Sequence, residues 1–470
     1  MRAAGHLRNF SANALQLVAN NVFGLVIFYV LSTGLSKADF GRLNLALAIL
    51  LAAFNILSCG IDQLIIKKIA ANENRESALS LYIIHTLITG FIFYGLLAMG
   101  YVLIPYSSVY QILLFIGIGK LMIYLSTPFK QAANGLEKFK LMAWQSVISN
   151  FVRCAGLLAL FLFHLFDFKV IIFVFIAGDV LEFAIGLALF KRSAGIPITL
   201  KFNKADYLNL VKEALPQIGV VIITSSLARF DWIFIGFMLS AIKLAEYSFA
   251  YKVFEIALLP LSAIAPLLIP RFTKMFKRDD VNIAGMKFLV RAEAIIAGLS
   301  ALLINIYWTP AIDWITHGKY GAVNERVVFF LSLCIPLLYL ENLLWTVFFT
   351  QSRLKMILNA FIITLAVNVL GDVLLIPIFQ NVGAAIAFLL ACLAQIIFYL
   401  SKNNIAGLRN VWQPVLVCTL CAVVAGQAAR LWIGVNWLVI PSSIILYGML
   451  LLITGQLRRD VQVRMKAVFG

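Results

Sequence analysis

Acidic side chains are scarce in this 470-residue chain: 21 Asp and Glu stand against 38 Lys and Arg, and charged residues of both signs make up only 13%. So small a charged fraction, beside 62% hydrophobic residues, excludes a soluble globular domain. Histidine is rarer still. Its four copies are scattered and match no metal-ligand spacing, so no metal site is expected. The six cysteines lie in or near apolar runs. Cys418 and Cys421 form a CxxC, but with no partner ligands they read as apolar filler. Short alternating segments are missing too, which excludes a membrane β-barrel. No P-loop is present: "GIGKLM" (117–122) lacks the first glycine and the closing Ser or Thr. Large loops are also lacking. The longest on the outer side, 308–325, carries Asp313 and His317 without a supporting constellation, which disfavours a membrane glycan polymerase or ligase.

What fills the chain is apolar runs of 18 or more residues, each long enough to cross the hydrocarbon core as a helix. The expected fold is an all-α polytopic membrane protein with about fourteen transmembrane helices: 10–32, 43–65, 80–104, 111–129, 141–163, 170–190, 216–239, 249–269, 288–308, 326–350, 357–377, 381–401, 411–432 and 436–456. With both termini cytoplasmic, most of the 38 Lys and Arg fall in inner loops. The net charge of +17 is therefore topological, and nucleic acid is not an expected partner. "MRAAGHLRNF" has no cleavage site after a short apolar core, so the first span is expected to be retained.

An internal repeat organises the spans. "LSTGLSKADFGRLNLALAI" (31–49) has a counterpart in "LSAIKLAEYSFAYKVFEI" (239–256), and "GLEKFKLMA" has a weaker one in "TQSRLKMIL". Six spans separate the copies, so the two halves are expected to be parallel six-helix lobes related by a pseudo-twofold axis along the membrane normal. The expected lobes are 1–190 and 216–402. Between them lies a cytoplasmic linker, 191–215, with an amphipathic interfacial helix near 204–214. The segment 403–470 adds a two-helix hairpin and a basic tail.

Polar residues mark helix faces inside the spans. Asn13, Gln16, Asn20 and Gly24 share one face, as do Asn44, Asn55, Ser58 and Asp62, and as do Gln145, Ser149 and Arg153. Either these hydrogen-bond between helices, or they line a wet cavity. Charges sharpen the question. Lys120, Arg153 and Arg229 fall at mid-span. Asp179 and Glu182 lie one turn apart, Asp231 follows Arg229, and Glu255, Glu341 and Asp372 lie in later spans. Each charge at mid-membrane costs about 2.5–3.5 kcal/mol on insertion scales, so it faces either a protein partner or water. One alternative is buried ion pairs, for instance Lys120 with Asp179. The other is a cationic cavity for an anionic cargo, since guanidinium suits phosphate. Arg229 and Asp231, about 200° apart on a helix, are not expected to pair with each other. Lys252 and Glu255 offer them partners in the next span. Arg430, beside Trp432, is expected to snorkel to the interface. Pro260, Pro266 and Pro336 interrupt later spans and permit bending.

Several stretches carry a family likeness: "FGLVIFYVLSTGLSKADFGRLNLALAI" (23–49), "GIDQLIIKKIA" (60–70), "QAANGLEKFKLMA" (131–143), "RFDWIFIGFMLSAIKLAEYSFAYKVFEIALLPLSAIAPLLIPRFTK" (229–274) and "VGAAIAFLL" (382–390). With them the chain resembles the Wzx-type oligosaccharide flippases of the multidrug/oligosaccharidyl-lipid/polysaccharide (MOP) exporter superfamily. The likeness covers most of the chain through the twelfth span. It implies movement of an undecaprenyl-diphosphate-linked glycan from the inner to the outer leaflet of a bacterial inner membrane. It also implies a proton or sodium gradient as driver, no cofactor, and polysaccharide polymerase and chain-length proteins as partners. Where the lipid II flippase branch has arginines in its first helix, this chain has Asn and Gln. On this reading Arg153, Arg229, Lys120, Asn20 and Asn55 contact the cargo, while Asp231, Glu255, Asp372 and Asp179 are candidates for ion coupling. A drug/cation antiporter of the same superfamily is the rival, although its cavity would be expected to be dominated by acids.

Overall fold

A computed structural model describes residues 19–104, 108–136, 138–261, 268, 272–273, 275–276, 283–403, 405, 408, 410–433 and 438–457. Asn13, Gln16, the Gln145 side chain and Pro266 lie outside the described residues. The described chain is helical throughout its spans. In order the helices are α1 (Ala19–Gly34), α2 (Lys37–Leu57), α3 (Ile61–Ala70), α4 (Arg75–Leu103), α5 (Ser108–Gly135), α6 (Phe139–Leu162), α7 (Phe168–Ser193), α8 (Lys204–Met238), α9 (Ala241–Ala257), α10 (Ile283–Thr316), α11 (Gly321–Thr350), α12 (Leu354–Phe379), α13 (Asn381–Lys402), α14 (Trp412–Ile433) and α15 (Val439–Ile453). Among the described residues, nine helices are long and apolar enough to cross a membrane, and shorter apolar helices accompany them. The protein is an all-α, multi-pass membrane protein. Its lipid-facing surface is apolar, as at Phe91, Ile92, Val102, Leu374 and Ile397, all exposed.

Local chemistry sets the helix ends. Ser36 opens α2 by accepting the Asp39 amide at 3.1 Å, and Ser240 opens α9 by accepting that of Lys243 at 3.2 Å. Span 2 was expected to run to residue 65, but α2 ends at Leu57 and α3 starts at Ile61. The break lies at Gly60, whose φ is +69°. A Cβ there would also come within 2.5 Å of Gln217 Cβ, so both backbone strain and packing exclude a side chain. The outer loop is likewise shorter than 308–325, because α10 continues through Pro310 to Thr316. Asp313 then accepts the Gly321 amide at 2.7 Å and the Ala322 amide at 3.1 Å. Its carboxylate caps α11.

The chain divides into two compact units, residues 1–236 and 237–470. This division falls later than the expected linker at 191–215, because α8 runs unbroken through position 216 and most of it belongs to the first unit. The stretch expected to form an amphipathic interfacial helix packs on protein through part of its face, while Leu208 stays exposed. Leu210 and Ala214 are buried in an apolar cluster with Ile61, Ile65, Tyr82 and Phe190. In the second unit α14 and α15 join the main apolar cluster. The Tyr447 hydroxyl donates to the Ile295 carbonyl at 3.1 Å. Gly298 leaves room for that ring, since a Cβ there would collide with the Tyr447 hydroxyl. The terminal hairpin is thus built into the core of the second unit.

Candidate functional site

The first unit holds a chain of charges inside its helices. Asp179 and Glu182, three residues apart on α7, face the same way. Asp179 is fully buried, and Glu182 and Arg153 are 6% and 9% exposed. Arg153, on α6, reaches both acids. Its Nη2 pairs with Asp179 Oδ1 and lies 3.1 Å from Glu182 Oε2. Lys120, on α5, closes on Asp179 Oδ2 at 2.9 Å. Lys130, about three turns further along α5, pairs with Glu182. Three cations therefore share two carboxylates and leave one positive charge in excess.

Glycines make this approach possible. Arg153 lies across Gly178, where a Cβ would collide with its Cγ and sit 2.6 Å from its Nε. A Cβ on Gly119 would sit 2.5 Å from Asp179 Oδ2. The "GIGK" stretch is therefore structural, since Gly119 admits Asp179 so that the next residue, Lys120, can meet it.

Amides extend the chain outward. Arg153 Nη1 donates to Asn150 Oδ1 at 2.9 Å, and Asn150 Nδ2 donates to Asn20 Oδ1 at 3.0 Å. Ser149 Oγ donates to the Gly178 carbonyl at 2.9 Å, tying α6 to α7. On the other side, Lys120 lines a cavity of about 100 Å³ together with Asn55, Ser58, Asp62, Tyr124 and Thr127. Asp62 Oδ1 is buried there with no hydrogen-bond partner.

The structure thus joins four expected cargo contacts, Asn20, Arg153, Lys120 and Asn55, to one another through Asn150, Asp179 and the cavity. The cations at 120 and 153 are held by carboxylates, as the ion-pair alternative anticipated for Lys120 and Asp179. The other expected residues have different neighbours. Arg229, on α8, has its guanidinium 4.4 Å from the Trp232 ring centroid. Asp231 Oδ1 accepts the Trp232 amide at 2.8 Å. Glu255 and Lys252, considered as partners for that pair, meet each other at 2.7 Å within α9. Asp372, fully buried on α12, accepts from Asn368 at 3.1 Å.

Sequence reading left Lys130 out of the network and did not single out Glu182 or Asp62 as site residues. The signal for Glu182 was its spacing of three from Asp179, and for Asp62 the polar face it shares with Asn55 and Ser58. Lys130 carried none, because it falls at the end of its span, where lysine is ordinary.

A bundle of apolar helices that keeps a buried charge network beside a small cavity is the architecture of a multi-pass membrane protein. Comparison supports that architecture. A solved structure described as "Lipid II flippase MurJ, inward closed conformation" is similar over 93% of this chain and 97% of that one, with a TM-score of 0.74 and 15% identity. An inward-facing multidrug resistance MATE family transporter of the MOP superfamily is similar over 86% and 98%, with a TM-score of 0.64 and 12% identity. A MOP superfamily transporter from Pyrococcus furiosus, described as having a binding pocket of reverse polarity, is similar over 87% and 95%, with a TM-score of 0.55 and 13% identity. These likenesses show the fold. No curated protein matches the chain. The family model described as "Polysaccharide biosynthesis protein" matches residues 6–276, and the chain belongs to that family.

Proposed function

We propose that this protein flips a lipid-diphosphate-linked oligosaccharide, of the undecaprenyl type, from the cytoplasmic to the outer leaflet of a bacterial inner membrane for surface polysaccharide assembly. The observation that carries this reading is the excess positive charge of the Lys120–Asp179–Arg153–Glu182–Lys130 network, which adjoins a small cavity bearing Asn55 and Asp62 on an otherwise mostly apolar lining, in a member of a polysaccharide biosynthesis family. A dianionic head can compete with Asp179 for Lys120, whose side chain is 23% exposed, while Arg153 keeps Asp179 paired. Asn55 and Asn20 offer amide contacts to the cargo, and Arg229 is proposed as a further cation for it. The lipid tail stays in the bilayer, and the two lobes alternate access.

Transport is driven by a proton or sodium gradient in this proposal, with the cation taken up at a carboxylate among Asp231, Glu255, Asp372 and Asp179. Export then feeds a polysaccharide polymerase and its chain-length partner. Lys120→Gln is the informative variant, because Asp179 retains Arg153 and no buried charge is orphaned. In an export mutant complemented with Lys120→Gln, surface glycan is expected to fall about tenfold, the scale of one charge-assisted contact. Undiminished glycan at equal protein level would overturn the assignment. Drug resistance conferred by the wild type without glycan export would favour the antiporter instead.

A further inference from the structure

A well-formed cavity of the second unit lies far along the chain from the network above. It occupies about 260 Å³ between one face each of α10, α11 and α14. Its two ends differ in chemistry. At one end stand Glu325 and Arg326, near the start of α11, with Gln427 and Arg430 in the last two turns of α14. Arg430 was expected only to snorkel toward the interface. It is in fact held in place, with Nη1 3.0 Å from Glu325 Oε1 and Nη2 donating to the Asn305 carbonyl at 2.7 Å. Arg326 is exposed beside it, so the rim carries two guanidinium groups against one carboxylate.

Deeper in, the wall turns apolar through Leu302, Phe329, Phe330, Leu333 and Val423. The few polar side chains among them are already satisfied by protein. Thr419 donates to the Val415 carbonyl at 2.7 Å, Ser332 to that of Phe329 at 2.7 Å, and Asn305 to that of Ala301 at 2.8 Å. Such a wall offers water few partners, and a mostly apolar groove at membrane depth suits hydrocarbon. The volume holds about nine water-sized groups, which is part of one acyl chain.

The rim also lies at interfacial depth. Trp314, in the last turn of α10, is 81% exposed, and Trp432, in the last turn of α14, is 83% exposed. Exposed tryptophans at helix ends mark the membrane–water interface. The helix ends bearing the arginines are therefore at headgroup level, and the apolar wall lies within the hydrocarbon.

We propose that this groove is a binding site for one anionic phospholipid, with its phosphate at Arg326 and Arg430 and an acyl chain laid along α10, α11 and α14. Charge complementarity selects the headgroup, and the mostly apolar wall selects the chain. The lipid fastens α14 to α10 and α11. This site is independent of the cargo reading above and stands or falls separately.

The test uses the full chain purified in detergent and incubated with equal amounts of phosphatidylglycerol and phosphatidylcholine of matched chains. Retained lipid is read by native mass spectrometry. One phosphatidylglycerol is expected to be held with about a fivefold preference, the scale of one basic side chain acting near a membrane surface. Arg326→Gln leaves the fold intact, because the side chain is exposed, and is expected to abolish most of that preference. Gly426→Leu fills the groove and is expected to remove one bound lipid of either kind. Equal retention of the two lipids, or a preference unchanged in both variants, would overturn the proposal, as would displacement of the bound species by inorganic phosphate.

Discussion

At the residue scale the protein depends on small side chains that admit large charged ones. Gly178→Ala forces Arg153 off its path, which overpacks the site at a cost of about 1–3 kcal/mol. The expected outcome is a clearly lowered melting temperature in detergent. Gly95→Ala, inside α4 with nothing within 4 Å, is expected to leave it unlowered or slightly raised by the better helix propensity of alanine. Asp179→Asn is predicted to be harsher. It leaves Lys120 and Arg153 without their shared acid, and breaking a buried ion pair costs about 3–5 kcal/mol. Lost folded protein on size-exclusion chromatography checks this, and an unaltered elution profile and melting curve would contradict it. The sequence marked Lys120, Arg153 and Asp179 as unusual because their depth in apolar runs is legible from hydropathy alone. Their full pairing was not legible. It depends on the rotation of α5, α6 and α7 about their axes, and on two glycines whose value appears only when Arg153 and Asp179 are seen lying over them.

At the scale of elements, the spans were readable because a helix in lipid must be apolar on the outside and satisfy its own backbone. Their ends were less so. Gly60 ends α2 where Gln217, more than 150 positions later, leaves no room for a side chain, and no local window contains that contact. The amphipathic stretch expected at 204–214 is the first part of α8, where Leu210 and Ala214 meet Ile61, Ile65 and Tyr82 while Leu208 stays exposed. The loop at 308–325 was overestimated because α10 passes through Pro310 and reaches Thr316. Asp313 then turns from a loop acid into a helix cap. Asp313→Ala is expected to cost about 1 kcal/mol by loss of that cap, seen as a small drop in thermal stability. A drop in transport with stability intact would give Asp313 a different role.

At the scale of the whole molecule, composition alone placed the chain in the membrane, and the all-helical fold and the family match agree with that placement. The resemblance to MOP exporters rested mostly on stretches of the first unit and the start of the second, and the family match spans that same region, residues 6–276. Cargo identity is less legible, since a network of three cations and two acids suits a diphosphate and says little about the sugars beyond it. The most direct test reconstitutes the protein in vesicles and follows translocation of a labelled undecaprenyl-diphosphate glycan by wild type and Lys120→Gln at matched folded fraction. The account predicts transport by the wild type and a rate about tenfold lower for the variant; equal rates, or no translocation by the wild type, would contradict it.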